Sequence, residues 1–133
     1  MWGSDSAVYG LKYGGRCIVA QSNPLNMMGD EQAQKAAAAT NSSSNDDSDS
    51  DSDLGIASKH YFLLGTTSLR EQNEVHQVEY NEETGDLRCT AVYGHPDEIW
   101  HLAPNPHDAS LLCTTHTDTT NGDARRVGTL WRF

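Results

Sequence analysis

The chain reads as an all-β protein made of two copies of one antiparallel unit, and three features of its 133 residues lead there. From His60 onward, short apolar runs bounded by turn residues recur at intervals of roughly ten positions. No segment sustains the 3.6-residue apolar period of an amphipathic helix. Finally, Leu63-Leu64-Gly65-Thr66-Thr67-Ser68 closely parallels Leu111-Leu112-Cys113-Thr114-Thr115-His116, the mark of an internal repeat.

Each element follows from local composition. Val8–Tyr13 and Arg16–Ala20 are short apolar runs on either side of Gly14-Gly15, a pair that predicts a hairpin. From Gln21 to Lys59 aromatic and β-branched residues nearly vanish, and the stretch ends in a Ser/Asp tract, Asn41 to Asp53. Such a composition cannot bury enough apolar surface to offset ordering entropy, so residues 21–59 are expected to be disordered. Ala36–Ala39 is too short a run to persist as a helix alone. The strands expected next are Tyr61–Ser68, Glu74–Tyr80, Leu87–Tyr93, Glu98–Ala103, Leu111–His116 and Val127–Phe133. Turns are expected at Asn81–Asp86 and Pro104–Asp108, where Asn, Asp, Gly and Pro cluster.

The repeat extends upstream: Val8-Tyr9-Gly10-Leu11-Lys12-Tyr13 shares the apolar spacing of Ile99-Trp100-His101-Leu102. On that alignment the first copy is interrupted between Leu11 and Leu63, mostly by the acidic stretch, and the second is not. A loop insertion is tolerable because closure entropy grows slowly with length.

Charge and cysteine usage narrow the function. Nineteen acidic residues against nine basic ones leave a net charge of −10, with no basic patch to neutralise phosphates, so nucleic acid is not an expected partner. Cys17, Cys89 and Cys113 are odd in number and never paired as C-x-x-C, which argues against a disulfide framework or a zinc knuckle and for a reducing compartment. Met1–Ser6 shows no basic segment leading into an apolar run, and no apolar run is long enough to span a bilayer.

Candidate chemistry is sparse. His95, His101, His107 and His116 fall close together beside Asp97, Glu98, Asp108 and Asp118, and a metal-dependent hydrolase could be imagined from them. No two of these histidines have the H-x-x-x-H spacing of a metal-binding pair. No catalytic residue, metal ligand or cofactor site is therefore assigned. Cys113 follows two leucines and reads as a small buried hydrophobe. Gly14-Gly15 lacks the lysine and helix of a phosphate loop, and Asn41-Ser42-Ser43 matches a glycosylation sequon without a secretory signal. Trp100 and Trp131, beside apolar strand positions, are expected in the core. Ser43, Ser44, Ser48 and Ser50 each have an aspartate three residues on, the pattern that acidophilic kinases resembling casein kinase 2 accept.

The second copy resembles one WD repeat: Gly94-His95, Asp97, Ile99-x-x-Leu102, Pro106, the Leu111–Asp118 run and Leu130-Trp131. The resemblance implies a β-propeller blade in which His95 and the turn residue Asp118 hydrogen-bond across strands while Trp131 packs beneath them. Arg132 replaces the aspartate that would follow the tryptophan, and Arg70 stands at the turn position of the first copy. More narrowly, Val8-Tyr9-Gly10-Leu11, Arg16, Phe62 to Leu69, Asn73-Glu74-Val75-His76, His95 and Glu98-Ile99-Trp100-His101 resemble the start of the EARP- and GARP-interacting WD-repeat proteins. The resemblance implies a cytosolic, non-catalytic adaptor that binds endosomal and Golgi tethering complexes and assists endosomal recycling.

The expected organisation is residues 1–20 as the start of a first blade, 21–59 as a disordered insertion, 60–93 as the rest of that blade with a lead-in strand, and 94–133 as a second blade. The chain is then expected to be an N-terminal portion of a longer propeller, a truncated gene model or a splice form. An acidic, largely disordered regulator of basic proteins is the rival that composition alone leaves open.

Overall fold

The structure is a computed structural model that describes residues 6–24 and 59–133. Among the described residues seven antiparallel strands form two sheets. The first takes β1 (Gly14–Gln21), β2 (Lys59–Thr67), β3 (Asn73–Asn81) and β4 (Leu87–His95) in that order; the second takes β5 (Ile99–Pro104), β6 (Leu111–Asp118) and β7 (Arg125–Arg132). Within each sheet every strand pairs with its neighbour in sequence, and among the described residues no α-helix occurs. The turns follow the local chemistry. Asn81 Oδ1 accepts from the backbone N–H of Glu83 and Thr84, and Gly85 closes the β3–β4 turn at φ +71°, a left-handed conformation that glycine adopts without a Cβ clash. Gly122, at φ +81°, does the same between β6 and β7.

The expected strands from Tyr61 onward are present, shifted at their ends by one or two residues. The hairpin expected at Gly14-Gly15 is not. Val8–Tyr13 forms no strand, and the glycine pair instead begins β1, opposite Thr67 and Thr66. The physical reason is that Leu11 and the two tyrosines of this segment make side-chain contacts in place of a strand ladder. Leu11 lies against Gly15, Tyr9 Oη hydrogen-bonds His76 Nδ1 at 2.8 Å, and Tyr13 Oη donates to Glu71 at 2.6 Å. The repeat alignment shifts accordingly. The partner of β5 in the first sheet is β1, not Val8–Tyr13, and residues 22–58 join β1 to β2 where residues 105–110 join β5 to β6. Gln21 and Lys59, expected within the disordered stretch, belong to β1 and β2; residues 25–58 of that stretch, with Ser43, Ser44, Ser48 and Ser50, lie outside the described residues.

The sheets meet where β5 packs on β1 and β2. Leu63, Val75, Ile99, Leu102 and Leu112 form the core, with Cys17, Val19 and Tyr93 against it. Each strand supplies these residues from one face; on β5 the bulge between Ile99 and His101 brings Ile99 and Leu102, three positions apart, to the same side. Gly65 sets the approach distance: a Cβ there would lie 2.7 Å from Cys17 Sγ and 2.8 Å from Ile99 Cγ2. Burial beside this contact pushes the Cys17 thiol above its ordinary pKa, so the group behaves as a hydrophobe. Polar stitches reinforce the joint. Gln21 Nε2 donates to the Ala109 carbonyl at 3.0 Å, while Gln21 Oε1 accepts from Gln77 Nε2 at 2.7 Å, tying β1, β3 and the β5–β6 connection together.

Candidate functional site

Leu112, Thr114 and His116 lie at alternate positions of β6 and so face inward together. The Thr114 hydroxyl is the centre of the arrangement. It accepts from Trp131 Nε1 at 2.7 Å and meets His95 Nε2 at 3.0 Å. Indole N–H can only donate, and His95 Nδ1 donates to the Asp97 carbonyl at 2.8 Å. A neutral His95 therefore takes the Thr114 O–H on Nε2. Burial pushes the His95 pKa below its ordinary value, and neighbouring His116 adds to that, in keeping with a neutral ring. His95 and Trp131 meet edge to face at 5.2 Å. Gly94 leaves room for Gln72, whose Nε2 would lie 2.8 Å from any Cβ there.

A second chain of polar groups runs beside the first. His116 Nδ1 hydrogen-bonds Asp97 Oδ2 at 2.9 Å and His116 Nε2 meets Thr129 Oγ1 at 2.9 Å, with the His95 and His116 rings 4.9 Å apart. Carboxylate, imidazole and hydroxyl stand in series, and with His116 5% exposed the series ties the β4–β5 connection to β6 and β7.

Of the expected motif, the structure joins His95 and Trp131 through Thr114 and sets Gly94 beside them, but it places Asp118 elsewhere. Asp118 accepts from the Thr120 backbone N–H and hydroxyl, contacts that hold its pKa down, and caps the β6–β7 turn instead of bonding His95. The reason is that Asp97 already occupies His95 Nδ1 through its carbonyl and His116 through its carboxylate. In the first sheet the matching hydroxyl, Thr66, donates to Asn73 Oδ1 at 3.2 Å, and Asn73 in turn holds Ser68 at both its backbone groups. His101 and His107 are exposed and stand apart from the buried pair. Among the described residues no group of three His, Cys, Asp or Glu side chains could hold a metal ion. Cys113 is half-buried, as are the two tryptophans expected in the core. Thr114 and Asp97 went unassigned in sequence, although strand alternation from Leu112 already places Thr114 inward.

Trp100 is the other organised feature. It occupies a β-bulge between Ile99 and His101, and Arg16 occupies the corresponding bulge between Gly15 and Cys17. The Arg16 guanidinium lies 3.4 Å from the centre of the indole, that of Arg126 lies 3.7 Å from it, and Trp100 Nε1 donates to Thr117 Oγ1 at 2.6 Å.

Consecutive-strand antiparallel sheets packed through their first strands, with a Gly-His histidine bridged by a strand threonine to a strand tryptophan, define a WD-repeat β-propeller protein. The family model described as EIPR1 beta-propeller matches residues 35–129, and the chain belongs to that family. It is 33% identical over 112 residues to the WD repeat-containing protein DWA2 of Arabidopsis thaliana, covering 84% of this chain and 23% of that protein. It is 28% identical over 72 residues to the EARP and GARP complex-interacting protein 1 of Homo sapiens, covering 54% of this chain and 19% of that protein. With the EARP-interacting protein homolog of Dictyostelium discoideum it shares 39% identity over 66 residues, covering 50% and 16%. The chain thus spans about a quarter or less of the length of these relatives. No solved structure matches it.

Proposed function

We propose that this chain contributes two blades to a non-catalytic propeller scaffold that binds endosomal and Golgi tethering complexes and acts in endosomal recycling and endosome-to-Golgi traffic. The observation that carries the proposal is the match to relatives named for interacting with the EARP and GARP complexes. The fold supports it, because a propeller presents rigid sheets whose turns are free to vary as contact surfaces. In this reading the first blade is built from residues 1–20 and 60–93 and the second from 94–133. The protein works in the cytoplasm and reaches endosome or trans-Golgi membranes through its partners. Among the described residues no helix is long and apolar enough to cross a membrane. Affinity purification of the full-length protein from its own cytosol, repeated at low salt to retain weak partners, should recover tethering-complex subunits. Recovery of none would refute the assignment.

A further inference from the structure

The two β-bulges do more than bend their strands. A bulge leaves one residue unpaired and re-aims its side chain. Here the residues released are Arg16 from β1 and Trp100 from β5, the strands through which the sheets pack. A guanidinium 3.4 Å from the indole centre fills one face of the ring, so Arg126, at 3.7 Å, must cover the other. Three strands thus deliver a cation, an aromatic plate and a second cation to one point, and the bond from Trp100 Nε1 to Thr117 keeps the plate from turning.

Among the described residues this arrangement holds two like charges close together with no ion pair to either. Among the described residues Arg88 and Lys59 pair with Glu79, and Arg132 pairs with Asp108, yet neither the Arg16 nor the Arg126 guanidinium has an ion pair or hydrogen bond. Of the neighbouring carboxylates Asp97 is engaged with His116, Asp118 with Thr120 and Glu71 with Tyr13, while Glu98 lines the adjoining groove. Stacking uses the faces of the guanidinium groups and leaves their N–H edges pointing outward, a pre-organised fork for carboxylate oxygens. Both arginines are exposed. Thr117, which anchors the indole, also lines an adjoining groove of about 290 Å³, together with Pro96, Glu98, Thr119 and Leu69, whose side chain is 87% exposed.

We propose that the Arg16–Trp100–Arg126 stack is the docking point for an acidic peptide segment of a partner protein, its carboxylates gripped by the two guanidinium edges and a following apolar residue laid along the groove at Leu69. The proposal rests on the protein-interaction reading above and deepens it by naming the site and the chemistry recognised.

The test is fluorescence anisotropy of a dye-labelled peptide of six glutamates and two leucines, titrated with the complete 133-residue chain. The Arg16→Gln/Arg126→Gln variant should lose about tenfold in affinity or more, because charge-assisted hydrogen bonds are removed. Trp100→Leu, which keeps every charge, should also bind more weakly, since the forks lose their platform. Arg132→Gln removes one equal charge from the far end of β7 and should match the native chain. If the double variant fails to fold by circular dichroism, Arg16→Lys/Arg126→Lys replaces it; the lysines keep the charge but not the fork, and should still bind more weakly than the native chain. Equal binding by the native chain and the site variants overturns the proposal, as does an equal loss in Arg132→Gln. Binding that appears only after Asn41–Asp53 is deleted would mean that the chain's own acidic tract fills the site, and binding to phosphatidylserine vesicles but not to the peptide would mean a membrane; either result overturns it. If the native full-length protein recovers no tethering subunit, the trafficking role falls while the peptide titration still decides the site. If the double variant of that protein recovers the subunits as well as the native form does, the site assignment falls and the role stands.

Discussion

Replacing Thr114 by valine tests the organisation of the second sheet, because one fully buried hydroxyl there serves two partners. Valine has nearly the same shape, so no cavity opens, but Trp131 Nε1 loses its acceptor at 2.7 Å and His95 Nε2 its donor at 3.0 Å. His95 is 2% exposed and cannot recover a water, so its unsatisfied nitrogen costs about 1–3 kcal/mol. Trp131 is half-buried and regains part of its hydration, which adds about 1 kcal/mol. The loss of about 2–4 kcal/mol corresponds to a fall in Tm of about 10–25 °C for a domain of this size. Thr114→Ser keeps the hydroxyl and gives up one methyl group, a cost of about 1 kcal/mol. Urea denaturation followed by near-ultraviolet circular dichroism, with m unchanged between variants, measures both. If Thr114→Val proves as stable as Thr114→Ser, the hydroxyl does not organise the histidine and the tryptophan, and the argument fails.

Four other outcomes are expected. Stability should fall as the solution is acidified below about pH 6.5. The unfolded His95 takes up a proton there while the folded ring, with its lowered pKa, stays neutral until lower pH, so its contribution is present above 6.5 and lost on descent, at no more than about 1.4 kcal/mol per pH unit; a His95→Gln variant with the same pH slope would show that the effect arises elsewhere. Gly65→Ala should destabilise by about 1–3 kcal/mol through contact with Cys17 and Ile99, a denaturation midpoint equal to the native one being the contrary result. Two sheets alone do not close a propeller, and β7 presents an unpaired edge with Leu130 67% exposed, so light scattering at micromolar concentration should show self-association that Leu130→Lys reduces; a monodisperse native chain would contradict this. Casein kinase 2 should phosphorylate the Ser43, Ser44, Ser48 and Ser50 cluster, which mass spectrometry of the treated chain would detect or exclude.

What the sequence made legible was what local rules control. Short apolar runs and turn chemistry placed six of the strands, because each of β2 to β7 carries a few apolar residues between segments rich in turn-forming residues. The same rules misplaced the N-terminal strand, since Val8–Tyr13 is as apolar as a strand but is held by Leu11 against Gly15 and by the tyrosine bonds to His76 and Glu71. The site was legible only in part. The resemblance to a WD repeat pointed to His95 and Trp131, yet the residue that joins them is a threonine whose role depends on three strands converging. Likewise Asp97 displaced Asp118, a choice between two carboxylates that only the fold of the β4–β5 connection makes. The stack of Arg16 on Trp100 joins positions 84 apart and depends on two bulges, for which a single sequence carries no signal.

The way β1 is fastened has a consequence for how the gene can be cut. β1 is laddered to β2 along its length, bonded through Gln21 to β3 and to Ala109, and covered at Arg16 by Trp100, so non-covalent forces alone hold it against both sheets. Ser22 Oγ adds a bond to the Pro106 carbonyl at 2.9 Å, and a connection of the length of residues 22–58 adds little closure entropy when it is lengthened further. Separately expressed halves, broken anywhere in that connection, are therefore expected to complement one another, and the junction is a natural place to insert a reporter or a second domain.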